Sequence, residues 1–238
     1  MPSKQLVRPF VAEFVGTALL LVAVVGSGIM AQRLFAGDLG LELLANSIAT
    51  GGALVAIILA FGPISGAHLN PAVSLCDAAV GGISWTRVPG YVAAQVAGAI
   101  TGTAVANRMF DLPMFFASHH ARHGSSLLFS EFVATFGLLA VIWGSVRFSP
   151  TVVPFAIAAY IVGAYWFTSS TSFANPAVTI GRAMTDTFAG IAPSDIFGFI
   201  VAQMLGAGAA TALFAWLAPV SRGAAEKIII AHPSVNQT

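Results

Sequence analysis

Charge is what this sequence has least of. Its 238 residues include 10 Lys and Arg and 9 Asp and Glu, together 8% of the chain, against about 25% in an ordinary soluble domain. That supply cannot cover the surface of a soluble globule, which excludes a conventional soluble enzyme. The net charge of +1 excludes a nucleic-acid-binding surface and the electrostatic capture of an acidic partner. The single cysteine, Cys76, leaves no internal disulfide. There is no nucleophile–base arrangement, no glycine-rich phosphate loop and no metal motif. The expectation is therefore no enzyme, no cofactor and no metal. What is abundant is apolar: 57% of residues are hydrophobic and the mean hydropathy is +0.87. Disorder is excluded, and the chain is an integral membrane protein.

The stretches free of Asp, Glu, Lys and Arg map the bilayer. Phe14 to Gln32, Val88 to Asn107, Phe132 to Val146 and Ile196 to Ser221 are each about one span long, a span needing roughly 20 apolar residues. Two runs are different. Leu43 to Cys76 and Phe148 to Gly181 are each 34 residues long, too long for one span and too short for two. Each reads as a full span followed by a half-span. The predicted spans are 10–31, 43–62, 89–110, 127–147, 151–169 and 196–217, with half-helices over 70–79 and 175–184. Residues 218–238 read as a polar tail. The apolar start does not read as a cleaved signal, because Glu13 interrupts what should be a clean core.

The two halves, 10–110 and 127–217, repeat one another within a single transmembrane domain. Ala12-Glu13-Phe14-Val15-Gly16-Thr17 matches Ser130-Glu131-Phe132-Val133-Ala134-Thr135. Leu69-Asn70-Pro71-Ala72-Val73-Ser74 matches Ala174-Asn175-Pro176-Ala177-Val178-Thr179, and Ala94-Gln95-Val96-Ala97-Gly98 matches Ala202-Gln203-Met204-Leu205-Gly206. Three spans per half make the second half enter from the opposite side. Interrupted apolar segments at matching places in inverted halves point to a solute path near the midplane. Lys4, Arg8, Arg87, Arg147, Arg222 and Lys227 would lie on the side of both termini, against Arg33, Arg108, Arg122 and Arg182 on the other. That favours cytoplasmic termini.

Backbone that is not helical survives at membrane depth only where it is buried or lines a wet cavity. Asn is a good N-cap and Pro fits the first helical turn. Asn70-Pro71-Ala72 and Asn175-Pro176-Ala177 therefore read as two helix starts, meeting near the centre with their positive dipole ends. The Asn amides can donate to a permeant oxygen there, while a cation meets repulsion and a desolvation cost. The pattern predicts a passive pore for small neutral solutes.

These residues resemble the aquaporin, or major intrinsic protein, family from Glu13 to about Trp216, including Ser65-Gly66-Ala67-His68-Leu69-Asn70-Pro71-Ala72-Val73. The resemblance implies an all-α membrane fold of six spans and two half-helices around a central pore. It also implies a homotetramer and a filter formed by four residues. Counted from the motifs, those four fall on Thr50, Gly163, Ser172 and Val178. The family usually carries Arg where this chain has Val178, so the filter is expected to be wide and weakly cationic. That feature, with the run Tyr165 to Thr179, is similar to a bacterial branch associated with arsenic resistance. It implies passage of arsenous acid and methylated arsenicals besides polyols such as glycerol and water, in a bacterial inner membrane. The alternatives are an ordinary water or glycerol channel, or a poorly conducting scaffold or junction protein. A coupled transporter would need ionisable residues deep in a span, and none is evident.

Other residues bear on the pore or its surroundings. Arg182, one turn beyond Val178, could return a positive charge to the outer mouth; the weightier reading has it snorkelling or pairing with Asp186. His68 could reach the inner vestibule or serve only the loop. Glu13 and Glu131 sit at span edges, and the resemblance suggests that they support the irregular loops before the half-helices. His119, His120 and His123 read as a surface cluster without a fourth metal ligand, and Cys76 as a small packed residue.

Overall fold

A computed structural model describes residues 3–218, with side chains from residue 7 onward. The tail expected from 218 thus lies almost wholly outside the described residues, as do Arg222, Lys227 and the side chain of Lys4. The described chain is all-α. Its eight helices are α1 (Ser3–Phe35), α2 (Leu39–Ser65), α3 (Pro71–Val80), α4 (Val88–Met109), α5 (Ser125–Phe148), α6 (Val153–Phe167), α7 (Pro176–Arg182) and α8 (Ile196–Leu217). Short 3-10 turns, Pro150–Val152 and Pro193–Asp195, lead into α6 and α8. Six helices are long and two, α3 and α7, are short.

Five of the long helices are apolar and long enough to cross a membrane. The remaining one, α4, has 22 residues but a lower hydropathy. It carries Gln95 and Asn107, both fully buried in the protein, so its polarity faces inward. Large apolar side chains such as Phe197, Trp216, Phe148 and Phe129 stand well exposed on the outside. A soluble protein would not tolerate such a belt, and a lipid-facing one requires it.

The halves pack alike. Glycines bring helix backbones together where a methyl group could not fit: a Cβ on Gly98 would stand 2.4 Å from the Phe14 carbonyl oxygen, and one on Gly102 2.2 Å from that of Ala18. These contacts join α4 to α1. In the second half a Cβ on Gly206 would stand 2.3 Å from the Phe132 carbonyl oxygen, joining α8 to α5. Without a hydrophobic force between helices in lipid, close approach through small residues is what holds a bundle. α1 is longer than expected and starts at Ser3. Glu13 is therefore in the helix interior and not at its edge.

Gly206→Val should open the α5–α8 contact at an overpacking cost of about 1–3 kcal/mol. Gly208, on the same helix with nothing within 4 Å of a built Cβ, is the matched control. Detergent-solubilised Gly206→Val is expected to lose its monodisperse elution at a lower temperature than Gly208→Val; equal temperatures would refute the packing argument.

Candidate functional site

Two irregular segments, between α2 and α3 and between α6 and α7, carry the motif residues. Both hold side-chain-bearing residues in the left-handed region: Ala67 (φ 46°) and Leu69 (φ 53°) in the first, Thr171 (φ 63°), Ser172 (φ 50°) and Ala174 (φ 48°) in the second. Each such residue costs of order 1–3 kcal/mol and persists only where its surroundings enforce it. The enforcing group is a buried carboxylate. Glu13 accepts hydrogen bonds from the Ser65 hydroxyl (2.6 Å), the His68 N–H (2.9 Å), the Leu69 N–H (2.7 Å) and the Gln95 amide (2.8 Å). Glu131 accepts from Ser170 (2.6 Å), the Phe173 N–H (2.9 Å), the Ala174 N–H (2.9 Å) and Gln203 (2.6 Å). The same amides of Gln95 and Gln203 reach on to Ser74 and Thr179, on α3 and α7, at 2.9 Å. Each glutamate thus joins a long helix, a broken loop and, through a glutamine, a short helix.

Asn70 and Asn175 are the N-caps of α3 and α7. Asn70 accepts from the Ala72 N–H at 2.9 Å, and Asn175 from the Ala177 and Val178 N–H groups at 2.9 and 3.3 Å. Pro71 and Pro176 take the first helical positions. The two caps are tied across the molecule: the Asn70 amide donates to the Ala174 carbonyl and the Asn175 amide to the Leu69 carbonyl, both at 2.8 Å. An amide nitrogen has two protons. One proton of each Asn is used between the loops, and the second is left for whatever occupies the space beside it.

That space is a cavity of about 80 Å³, lined by both asparagines and by apolar side chains including Val24, Leu54 and Ile142. At roughly 10–15 Å³ of such volume per water, it takes on the order of five waters. Thr50, Ser172, Val178 and His68 line it, as does Arg182. Gly163 does not. The α6 residues on the cavity are Val153, Ile157, Ile161 and Tyr165, spaced by four and so on one helical face. Gly163 lies about 200° from both Ile161 and Tyr165 at 100° per residue, and a Cβ on it would meet only Phe167, which is exposed. Counting back from the second motif found the right helix and the wrong face.

Two aromatic residues missed in the sequence, Tyr165 and Phe173, line the cavity instead. The Tyr165 hydroxyl is 3.3 Å from the Thr50 hydroxyl. The four-residue period ending at Tyr165 was the available signal. Arg182 is 2% exposed. It donates from Nε to the Ala189 carbonyl and lies over the Phe173 ring, 3.4 Å from its centroid. It neither snorkels nor pairs with Asp186, whose carboxylate receives His119 and Ser118. His68 contacts Ser74 through Nδ1 at 3.0 Å and Asp77 through Nε2 at 3.6 Å, so it serves the loop as well as the cavity wall. Cys76 is buried.

The segment 110–124 folds over the end of the molecule carrying α7. Phe116 and Ser118 donate backbone hydrogen bonds to Met184 and Ala183. Arg122 turns inward to the carbonyls of Gly190 (2.7 Å), Ser170 (3.3 Å) and Phe188 (3.4 Å). His119 and His123 face separate carboxylates, Asp186 at 3.0 Å and Asp195 at 3.8 Å. His120 lies with Gln32, Glu42 and Asp186 in a second, open hollow.

The family model described as Major intrinsic protein matches residues 1–168. Aquaglyceroporin AqpS of Rhizobium meliloti (strain 1021) is 52% identical over 222 residues, covering 93% of this chain and 95% of that one. Aquaporin NIP1-3 of Oryza sativa subsp. japonica is 35% identical over 191 residues, covering 77% and 66%. The crystal structure of the aquaglyceroporin from Plasmodium falciparum superposes with a TM-score of 0.68 at 21% identity, over 87% of this chain and 95% of that one, a likeness of fold.

The Asp186 carboxyl is held below the ordinary carboxylate range, first by the His119 backbone N–H and then by the His119 ring. A depressed folded-state value means that the clamp is complete above the ordinary aspartate range and is lost as pH falls through the depressed value. Protection of the His119 amide against hydrogen exchange should therefore be high at neutral pH and fall on acidification. Asp186→Asn should show the low protection already at pH 7. An acid-insensitive amide in the parent protein would refute the clamp.

Proposed function

The chain belongs to the major intrinsic protein family, whose members are channels and not enzymes, and within it we propose a pore for water and small polyols such as glycerol. The class is plain: a multi-pass integral membrane protein for passive passage of small uncharged solutes. The single observation that carries the finer reading is the cavity at the two Asn caps. One free amide proton on each asparagine can hold a hydroxyl or water oxygen in a mostly apolar cavity, which offers a cation no full replacement for its hydration shell. The 52% identity to a protein named an aquaglyceroporin supports glycerol beside water. A lined cavity also weighs against a poorly conducting scaffold.

A second reading is carried by Val178. It lines the cavity where the family usually has Arg, and it adds neither charge nor a donor. Arsenous acid, neutral at pH 7 and bearing three hydroxyls, presents the same hydrogen-bonding face as a small polyol. We place it, with methylated arsenicals, among the candidate solutes after glycerol. Thr50, Ser172 and Val178 are the proposed cutoff residues, and Asn70 and Asn175 the proposed central donors. Glu13 and Glu131 are the proposed supports. The two repeats over 10–110 and 127–217, a homotetramer, cytoplasmic termini and a bacterial inner membrane complete the proposal.

Stopped-flow light scattering on proteoliposomes tests it, with water, glycerol and arsenous acid run in parallel. The parent protein should pass glycerol well above empty vesicles. Val178→Arg should lower glycerol and arsenous acid flux severalfold relative to water flux. A parent pore that passes water alone would sink the polyol reading, and a Val178→Arg pore with an unaltered glycerol-to-water ratio would remove Val178 from the filter.

A further inference from the structure

Arg182 is an arginine in an unusual position. It is almost wholly buried, yet it lines the cavity. Among the described residues neither it nor the neighbouring Arg122 is in an ion pair. A buried cation without a counter-ion is costly, and a carboxylate partner was at hand: Asp186 is four residues on, but it is committed to His119. What holds Arg182 is uncharged. Its Nε donates to the Ala189 carbonyl, and its guanidinium lies against the Phe173 ring. The carbonyls on either side of Ala189, those of Phe188 and Gly190, go to Arg122, whose guanidinium also lies 5.1 Å from the Phe173 ring centroid. Three successive carbonyls thus clasp two arginines around one aromatic ring. Among the described residues the two terminal guanidinium nitrogens of Arg182 have no hydrogen-bond acceptor, and they are not among the enclosed unpartnered atoms. The side chain borders the cavity.

We propose that Arg182 is the charge and size filter of this pore, delivering from one helical turn beyond Val178 the guanidinium that position 178 lacks. The proposal rests on the channel reading above and names a further specificity-determining residue for it. The planar fork offers its free N–H donors to a solute hydroxyl. Its charge, in a low-dielectric wall, repels cations. Tyr165 and Phe173 add the bulk that Thr50, Ser172 and Val178 do not supply. Arg122 is a positioning residue: it touches the loop carbonyls and the ring, and acts on solutes only through Arg182.

The test uses full-length protein in proteoliposomes, with glycerol, erythritol and methylammonium as probes. Arg182→Ala removes fork and charge; Arg182→Lys keeps charge and length but loses the planar fork and the Nε donor. In the parent protein glycerol should pass, with erythritol slow and methylammonium at background. Arg182→Ala is expected to raise erythritol and methylammonium flux severalfold. Arg182→Lys should raise erythritol and keep methylammonium out, a split that a merely structural role would not produce. Arg182→Ala that elutes as aggregate leaves Arg182→Lys to decide by the same split. Conducting variants with the parent's erythritol and methylammonium rates would overturn the filter role and leave the glycerol channel standing. A parent pore closed to glycerol would overturn both.

Discussion

Backbone polar groups cannot be left unpaired in a bilayer, and this structure turns on how two broken segments meet that demand. The chain stops being helical at Ser65 and at Phe167, in the middle of runs without charge. Each segment then spends residues in left-handed backbone, at roughly 1–3 kcal/mol apiece. One carboxylate answers in each half. Hydrogen bonds to a charged group contribute about 1.5–3 kcal/mol each, and Glu13 and Glu131 each receive four. Several such bonds offset the backbone strain and part of the cost of burying the charge. The glutamines show the priority: Gln95 and Gln203 turn their N–H groups to the carboxylates and leave their own carbonyl oxygens buried without a partner.

This arrangement makes the two halves depend on each other. Asn70 and Asn175 bond to the carbonyl that precedes the other asparagine, so neither loop holds its shape independently. Glu13 positions the Leu69 N–H, and Leu69 offers its carbonyl to Asn175. Glu131 does the same through Ala174 for Asn70. The donors that face the cavity are thus held by a closed circuit of hydrogen bonds anchored in α1 and α5. Little freedom is left for the amides to rotate, and a donor that is already oriented loses little entropy when it meets a solute.

What was legible in the sequence is what local chemistry and repetition determine. Asn-Pro at a helix start carries its geometry with it, and finding it twice, with Glu13 and Glu131 ahead of it in the same order though at different distances, pointed to the inverted halves and to six long helices with two short ones. Gly98 with Ala94 and Gly102, and Gly206 with Ala202 and Ala210, stand four residues apart in the sequence, the small-residue spacing that lets helices approach closely. What was not legible depends on helical phase and on segments folding back. Gly163 and Tyr165 are two residues apart, and only the packing of α6 decides which faces inward. The depth of α4 in the bundle hides Gln95 and Asn107, which makes this helix look less like a span than it is. Asp186, the partner expected for Arg182, bonds instead to His119, 67 residues away from it, which no local rule connects to it.

The last case bears on how a filter is read from a motif. A residue's place in a motif records where its Cα sits, whereas a solute meets the end of a side chain. Arg reaches far enough that a shift of one turn along α7 still leaves its guanidinium at the cavity wall, provided something holds it there. Phe173 and the carbonyls of 188–190 are that support. The loss of Arg at 178 does not by itself make an uncharged pore. In the proposed filter the charge lies instead on Arg182, beside Val178, which is small and inert. A pore built as proposed would have the cation exclusion of an arginine filter with a cross-section set by a different set of walls, Tyr165 and Phe173, which line the cavity. In the proposed filter, the solute admitted would depend on how those two rings and one guanidinium share the space, and not only on the four positions at which the family's filter is usually read.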